Sequence, residues 1–142
     1  MKKIILTPEK IGWCFYSFAD SSYVTVIVTV LFSLYFKDVI VGQQELGTAL
    51  WGRAVSISML IVAALAPIMG AIADYSHSRK LLLIICTYVT VLFTALLFFL
   101  APGQILLAML FFIIANSAFN MSNVFNNSFL PEIATPDEMG RI

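Results

Sequence analysis

Four apolar runs, each long enough to cross a lipid bilayer, leave this chain few folds. They cover residues 13–36, 48–73, 81–100 and 104–127. A helix needs about 20 residues to cross roughly 30 Å of hydrocarbon. Backbone inside lipid must satisfy its own hydrogen bonds, so four helical spans are predicted. Composition points the same way. The chain of 142 residues is 61% hydrophobic and 11% charged, about half the charged fraction of a soluble domain. It lacks the polar surface to cover a soluble core. The fold class is therefore all-α integral membrane, with four transmembrane helices and the lipid bilayer as first partner.

The stretches between the runs set the topology. In residues 1–12, the N-terminal segment, Met1-Lys2-Lys3 followed by apolar residues imitates a secretory signal, but Pro8, Glu9 and Lys10 interrupt that pattern, so the first run reads as an uncleaved helix. Lys37 to Gly47 link the first two runs, a short loop from Asp74 to Lys80 follows the second, and Pro102-Gly103 turns the third into the fourth. Lys2, Lys3, Lys10, Arg79, Lys80 and Arg141 fall on one side, six of the eight basic residues. The positive-inside rule then places both termini in the cytoplasm, with residues 128–142 as a cytoplasmic tail and the bacterial inner membrane as the expected location. A net charge of zero suggests no nucleic-acid partner. Cys14, Cys86 and His77 form no metal-ligand spacing, and the two cysteines read as small apolar residues rather than a disulfide. No cofactor is expected. No nucleophile–base pair or phosphate loop is seen, so an enzyme is not expected either.

Polar residues inside the spans are costly to present to lipid; an Asp at mid-membrane costs about 2.5–3.5 kcal/mol. Asp20 lies well inside the first run, and Trp13, Tyr16, Ser17, Asp20 and Tyr23 repeat at helical spacing. That stripe is expected to face protein or water. In the fourth run Asn116, Asn120, Asn123 and Asn127 are spaced by 4, 3 and 4, which puts four carboxamides on one face. They read either as the wall of a solute path or as interhelical hydrogen-bond donors. The third run carries only threonines, Tyr88 and Cys86, and Thr can bond its own backbone, so that helix is expected to face lipid. Ala66 and Gly70 in the second run make a small-xxx-small pair suited to close contact. Asp74 would end that helix, where the dipole disfavours an anion and a cationic partner is wanted. Arg79 and Lys80 are then either topological anchors or that partner.

Three stretches resemble a known family. "GAIADYSHSRK" is similar to the cytoplasmic loop signature of the major facilitator superfamily, G-x-x-x-D-[RK]-x-G-R-[RK]-[RK], through Gly70, Asp74, Arg79 and Lys80, with departures at Tyr75, His77 and Ser78. The opening run resembles W-x-x-Y-D-F-A-N-S-A-[YF] of permeases related to vacuolar amino-acid effluxers of autophagy, with Ser17 in place of the aspartate and Asp20 in place of the asparagine. "FNNSFLPEIATPDEMGR" resembles F-Y-N-A-F-L-P-D-[IL]-A followed by P-D-E-R-G-R. The resemblance implies the first part of a facilitator-type N-terminal six-helix bundle. It implies a secondary transporter of a small solute, an amino acid among the candidates, working by alternating access. In that family the first and fourth helices line the central cavity and the third lies outward. Asp20, Tyr16, Tyr23 and the four asparagines would be substrate or proton-path residues, with a coupling proton as a possible partner. Gly70, Asp74, Arg79 and Lys80 would form the cytoplasmic gate, Asp74 latching onto the other half. A facilitator has about twelve helices, so this chain is expected to be an inactive N-terminal piece whose missing C-terminal helices are its partners. Two other readings stand beside it: a complete four-helix homo-oligomeric proton-coupled exporter, and a membrane adaptor or remnant that transports nothing.

Overall fold

A computed structural model describes residues 7–133. Its helices are α1 (Pro8–Val41), α2 (Gln44–Ser76), α3 (Arg79–Leu97), α4 (Ile105–Ser128) and a final turn α5 (Leu130–Ile133). The first four are long and apolar enough to cross a membrane, and the chain is an integral, multi-pass membrane protein. Each predicted span falls on one of them, but the ends differ. Pro8 at the first helical position and the Thr7 hydroxyl, which accepts from the Lys10 amide at 3.5 Å, start α1 earlier than Trp13. The expected linker from Lys37 to Gly47 shrinks to a tight turn. Gly42 adopts φ 72°, a left-handed conformation that glycine takes at no steric cost, and α2 begins two residues on. At its far end α3 stops at Leu97, and residues 98–100 are held by turn-type amide bonds at 3.1–3.4 Å. Helix α2 runs unbroken through Pro67.

Two stretches of α1, Val24–Val30 and Phe36–Val41, are π-helical. The first is the β-branched run VTVIVTV, whose side chains crowd the preceding turn. Thr29 Oγ1 donates to the Val24 carbonyl five residues back at 3.0 Å. These wide turns have a consequence for facing. Steps of four drift by about 40° in a regular helix of 3.6 residues per turn; a wider turn reduces that drift. Tyr23, Ile27, Leu31 and Tyr35 therefore stay on one seam.

Helix α4 is the centre of the bundle, with α2 and α3 packed along it and α1 touching it from the third side. The core lies at the end of the bundle where α1 turns into α2. There Phe32, Phe36, Ile40, Ala54, Ala108 and Phe112 are buried. Trp51 joins them, its ring 4.2 Å from Phe112 and 5.6 Å from Phe36. Gly47 marks the closest approach: a Cβ there would sit 2.8 Å from the Lys37 backbone. A smaller cluster of Ala73, Met121 and Phe125 closes the opposite end. The second-helix glycine expected to allow close packing, Gly70, has open space around its Cβ position, so Ala66 packs and Gly70 does not. Helix α3 buries one face on α4, through Thr90 and a Phe93–Phe111 edge contact at 5.6 Å, and exposes Ile84, Ile85, Tyr88 and Leu92 on the other. It is half-covered rather than wholly outward.

Candidate functional site

The stripe predicted on α1 faces protein. Trp13 Nε1 donates to the Asn126 carbonyl at 3.2 Å. One turn on, the Tyr16 hydroxyl meets Thr87 Oγ1 of α3 at 3.2 Å. Two turns on, the Tyr23 ring stacks on Phe119 of α4, centroids 4.3 Å apart. Between these contacts Asp20 is half-buried, with the Asn123 side chain beside it. The carboxylate lines a cavity of about 150 Å³ among α1, α3 and α4, walled by Tyr16, Tyr23, Thr87, Thr90, Phe119 and Ser122. Five hydroxyl-bearing residues stand around one acid, with Ala19 and Val91 completing the wall of a space that holds a small group and little more.

The asparagine stripe divides. Asn116 is buried, and its Nδ2 donates to Ser58 Oγ of α2 at 2.7 Å, while Ser58 Oγ donates to the Val55 carbonyl at 2.7 Å. This is the interhelical hydrogen-bond reading. Asn120 Nδ2 bonds the Asn116 carbonyl one turn back at 2.7 Å. Asn123 alone turns to Asp20, and Asn127 is exposed near the helix end. So α1 meets α4 along Phe119, Asn123 and Asn126, a line beside the one the spacing marked. Thr87, Thr90, Ser122 and the Asn126 carbonyl belong to the site and were not expected there. The threonines do bond their own backbone, at 2.8 Å and 2.9 Å, and Thr87 still reaches Tyr16. Phe119 could have been found, since it lies one turn from both Asn116 and Asn123.

At the end shared by the start of α1, the α2–α3 loop and the end of α4, the signature residues form an ion-pair cluster. Arg79 binds Asp74 through Nε at 3.0 Å and a terminal nitrogen at 2.6 Å. Its other terminal nitrogen binds Glu132 at 2.6 Å. Asp74, at the unfavourable end of the α2 dipole, thus obtains its cation from the first residue of α3. His77, where the loop signature has glycine, adopts φ 52° and ends α2. Histidine is among the few side chains that tolerate that region. Lys80 is exposed and lines a separate cleft of about 400 Å³ beside Glu9 and Trp13. Lys2, Lys3 and the tail motif from Ala134 through Arg141 lie outside the described residues.

Among the described residues no group of histidine, cysteine or carboxylate has metal-binding geometry, and Cys14 and Cys86 are free thiols. The described helices form an antiparallel membrane bundle with one acid at a small intramembrane cavity. The comparisons identify its family. The family described as "Vacuole effluxer Atg22 like" matches residues 48–141, more than half of the chain. A Bacillus subtilis protein named "Uncharacterized MFS-type transporter YxiO" is 33% identical over 138 residues, covering 93% of this chain. "Autophagy-related protein 22" of Coccidioides immitis is 42% identical over 82 residues, 58% of this chain. The chain belongs to the Atg22-like family within the major facilitator superfamily. It spans 31% of the bacterial relative's length and 14% of the fungal one's. No solved structure matches it.

Proposed function

We propose that this chain forms the N-terminal part of a secondary transporter that moves a small amine-bearing solute across the membrane by alternating access. The observation that carries the reading is the half-buried Asp20 beside Asn123, at a small cavity between α1, α3 and α4. A membrane carboxylate that faces a cavity marks a solute or ion path more often than a structural contact. Asp20 takes the solute's amine or a coupling proton, Tyr16 and Tyr23 frame it, and Asn116, Asn120 and Asn127 continue the polar line on α4. Amino acids, the class that the sequence resemblance implies, are one candidate among such solutes, and simple amines are another.

The Asp74–Arg79–Glu132 cluster supports a gate at the cytoplasmic end, with Lys80 beside it. It links α2, α3 and α5 through Arg79, and it leaves Asp74 exposed for a contact from outside the chain. Basic residues at that end favour cytoplasmic termini in a bacterial inner membrane. The test is uptake into proteoliposomes by a full-length transporter carrying this segment. Asp20→Asn is expected to lower the transport rate at least tenfold and flatten its pH dependence. An unchanged rate and pH profile would remove Asp20 from the path.

A further inference from the structure

The seam between α1 and α3 holds more than the Asp20 cavity. One turn further along both helices, past Tyr23 and Val91, a cleft of about 510 Å³ opens, lined by Ile27, Leu31, Phe32, Thr94, Leu97 and Phe98. That volume lies in the range of small-molecule sites, roughly 300–1,000 Å³. Its walls are almost wholly apolar, and Leu31 and Phe98, 61% and 85% exposed, leave it open on one side. Tyr23 stands between the two spaces, stacked on Phe119. Its hydroxyl and that of Thr94 are buried as neighbours, and neither makes a hydrogen bond of good geometry.

We propose that this seam binds a lipophilic monoamine, with its ammonium on Asp20 and its apolar tail in the larger cleft beyond Tyr23. The inference rests on the reading of Asp20 as a solute-binding carboxylate and names the solute's class. Charge argues first. Among the described residues, the Asp20 cavity is lined by one acid, aromatic rings, hydroxyl-bearing side chains, Ala19 and Val91, with no Lys, Arg or His. An ammonium there gains the carboxylate and the faces of Tyr16 and Tyr23. A zwitterion would bring its own carboxylate into the same space with no cation to meet it, which is costly away from water. Shape argues second. Asp20 and Leu31 are eleven residues apart, roughly 16 Å along the axis at about 1.5 Å per residue, a distance that an extended dodecyl chain covers. Access argues third. Tail and bilayer are equally apolar, so the tail adds little affinity of its own; it carries the amine laterally to an acid that lies below the interface.

The experiment uses the 142-residue chain in phosphatidylcholine nanodiscs. The probe is dodecylamine bearing a diazirine near its tail end, with the matching alcohol as comparison, and labelled peptides are mapped by mass spectrometry. The amine is expected to label the peptides containing Leu31 and Leu97 saturably. Unlabelled dodecylamine should compete, and leucine should not. Asp20→Asn should weaken amine labelling at least tenfold and leave alcohol labelling unchanged. Leu31→Trp, at an exposed position that tolerates bulk, should abolish labelling of the cleft while unlabelled dodecylamine still slows modification of a cysteine placed at Asn123. Equal labelling by amine and alcohol would identify lipid tails as the occupant and overturn the proposal. Leucine competing as well as dodecylamine would overturn the lipophilic class yet keep Asp20 as a solute site. Loss of transport in the full-length Asp20→Asn variant is read separately, so failure of one reading is not failure of the other.

Discussion

The two halves of α1 are held in different ways. From Phe32 to Ile40 it is anchored: Phe32, Phe36 and Ile40 are buried, and the rings of Trp51 and Phe112 close over them. From Ile11 to Tyr23 it is tethered at points, by Trp13 on a carbonyl, Tyr16 on a threonine and Tyr23 on one ring. Phe15 and Phe18 of that half are 72% and 74% exposed. A helix pinned at one end and held by polar contacts at the other can shift its free end without breaking its core. The carboxylate lies in the half that can shift, and the π-helical run from Val24 to Val30 separates the two. On the function proposed above, the core contacts and the solute site fall in separate parts of one helix.

The sharpest way to break this contrast is to empty the anchored end. Phe36→Ala is expected to cost about 3 kcal/mol or more, the range of large-to-small core changes, whereas Phe18→Ala should stay within about 0.5 kcal/mol. Unfolding followed by circular dichroism in mixed detergent micelles measures both, and equal losses would erase the distinction. Next in size is the buried tie from Asn116 of α4 to Ser58 of α2. Asn116→Ala should cost about 1 kcal/mol in the same titration, between the mean and the maximum for hydrogen bonds inside a membrane. Arg79→Gln removes two exposed ion pairs and should cost about 0.2–1 kcal/mol, less in high salt, since screening weakens surface pairs; a loss indifferent to salt would point to a packing role. The smallest effect is at the loop. His77→Gly removes the side chain from a left-handed position and should stabilise by about 0.5 kcal/mol, the relief exceeding the entropy glycine adds to the unfolded chain.

Much of the fold was legible in the sequence because membrane spans follow from length and polarity alone. The face of α1 was legible too, since Trp13, Tyr16, Asp20 and Tyr23 recur at helical spacing and lipid excludes them together. What that face meets was not. A period of 3 or 4 says which side chains share a helix face, and nothing about which neighbour arrives or how far it has rotated. Asn116 and Asn123 share a stripe, yet one ties α2 and the other meets Asp20. Thr87 was invisible because a threonine bonded to its own backbone looks inert from sequence, although its oxygen still serves a second partner. The close-contact glycine was misplaced for a similar reason. Gly70 sits in a small-residue pattern and has open space, while Gly47 sits in what reads as a linker and carries the tight approach to Lys37.

The most direct test is chemical access to the two halves of α1. In a background with Cys14→Ser and Cys86→Ala, single cysteines at Asp20 and Phe36 are exposed to a water-soluble maleimide in intact membranes. The account predicts that the cysteine at position 20 reacts at least tenfold faster than the one at position 36. Equal rates, or a faster reaction at position 36, would contradict it.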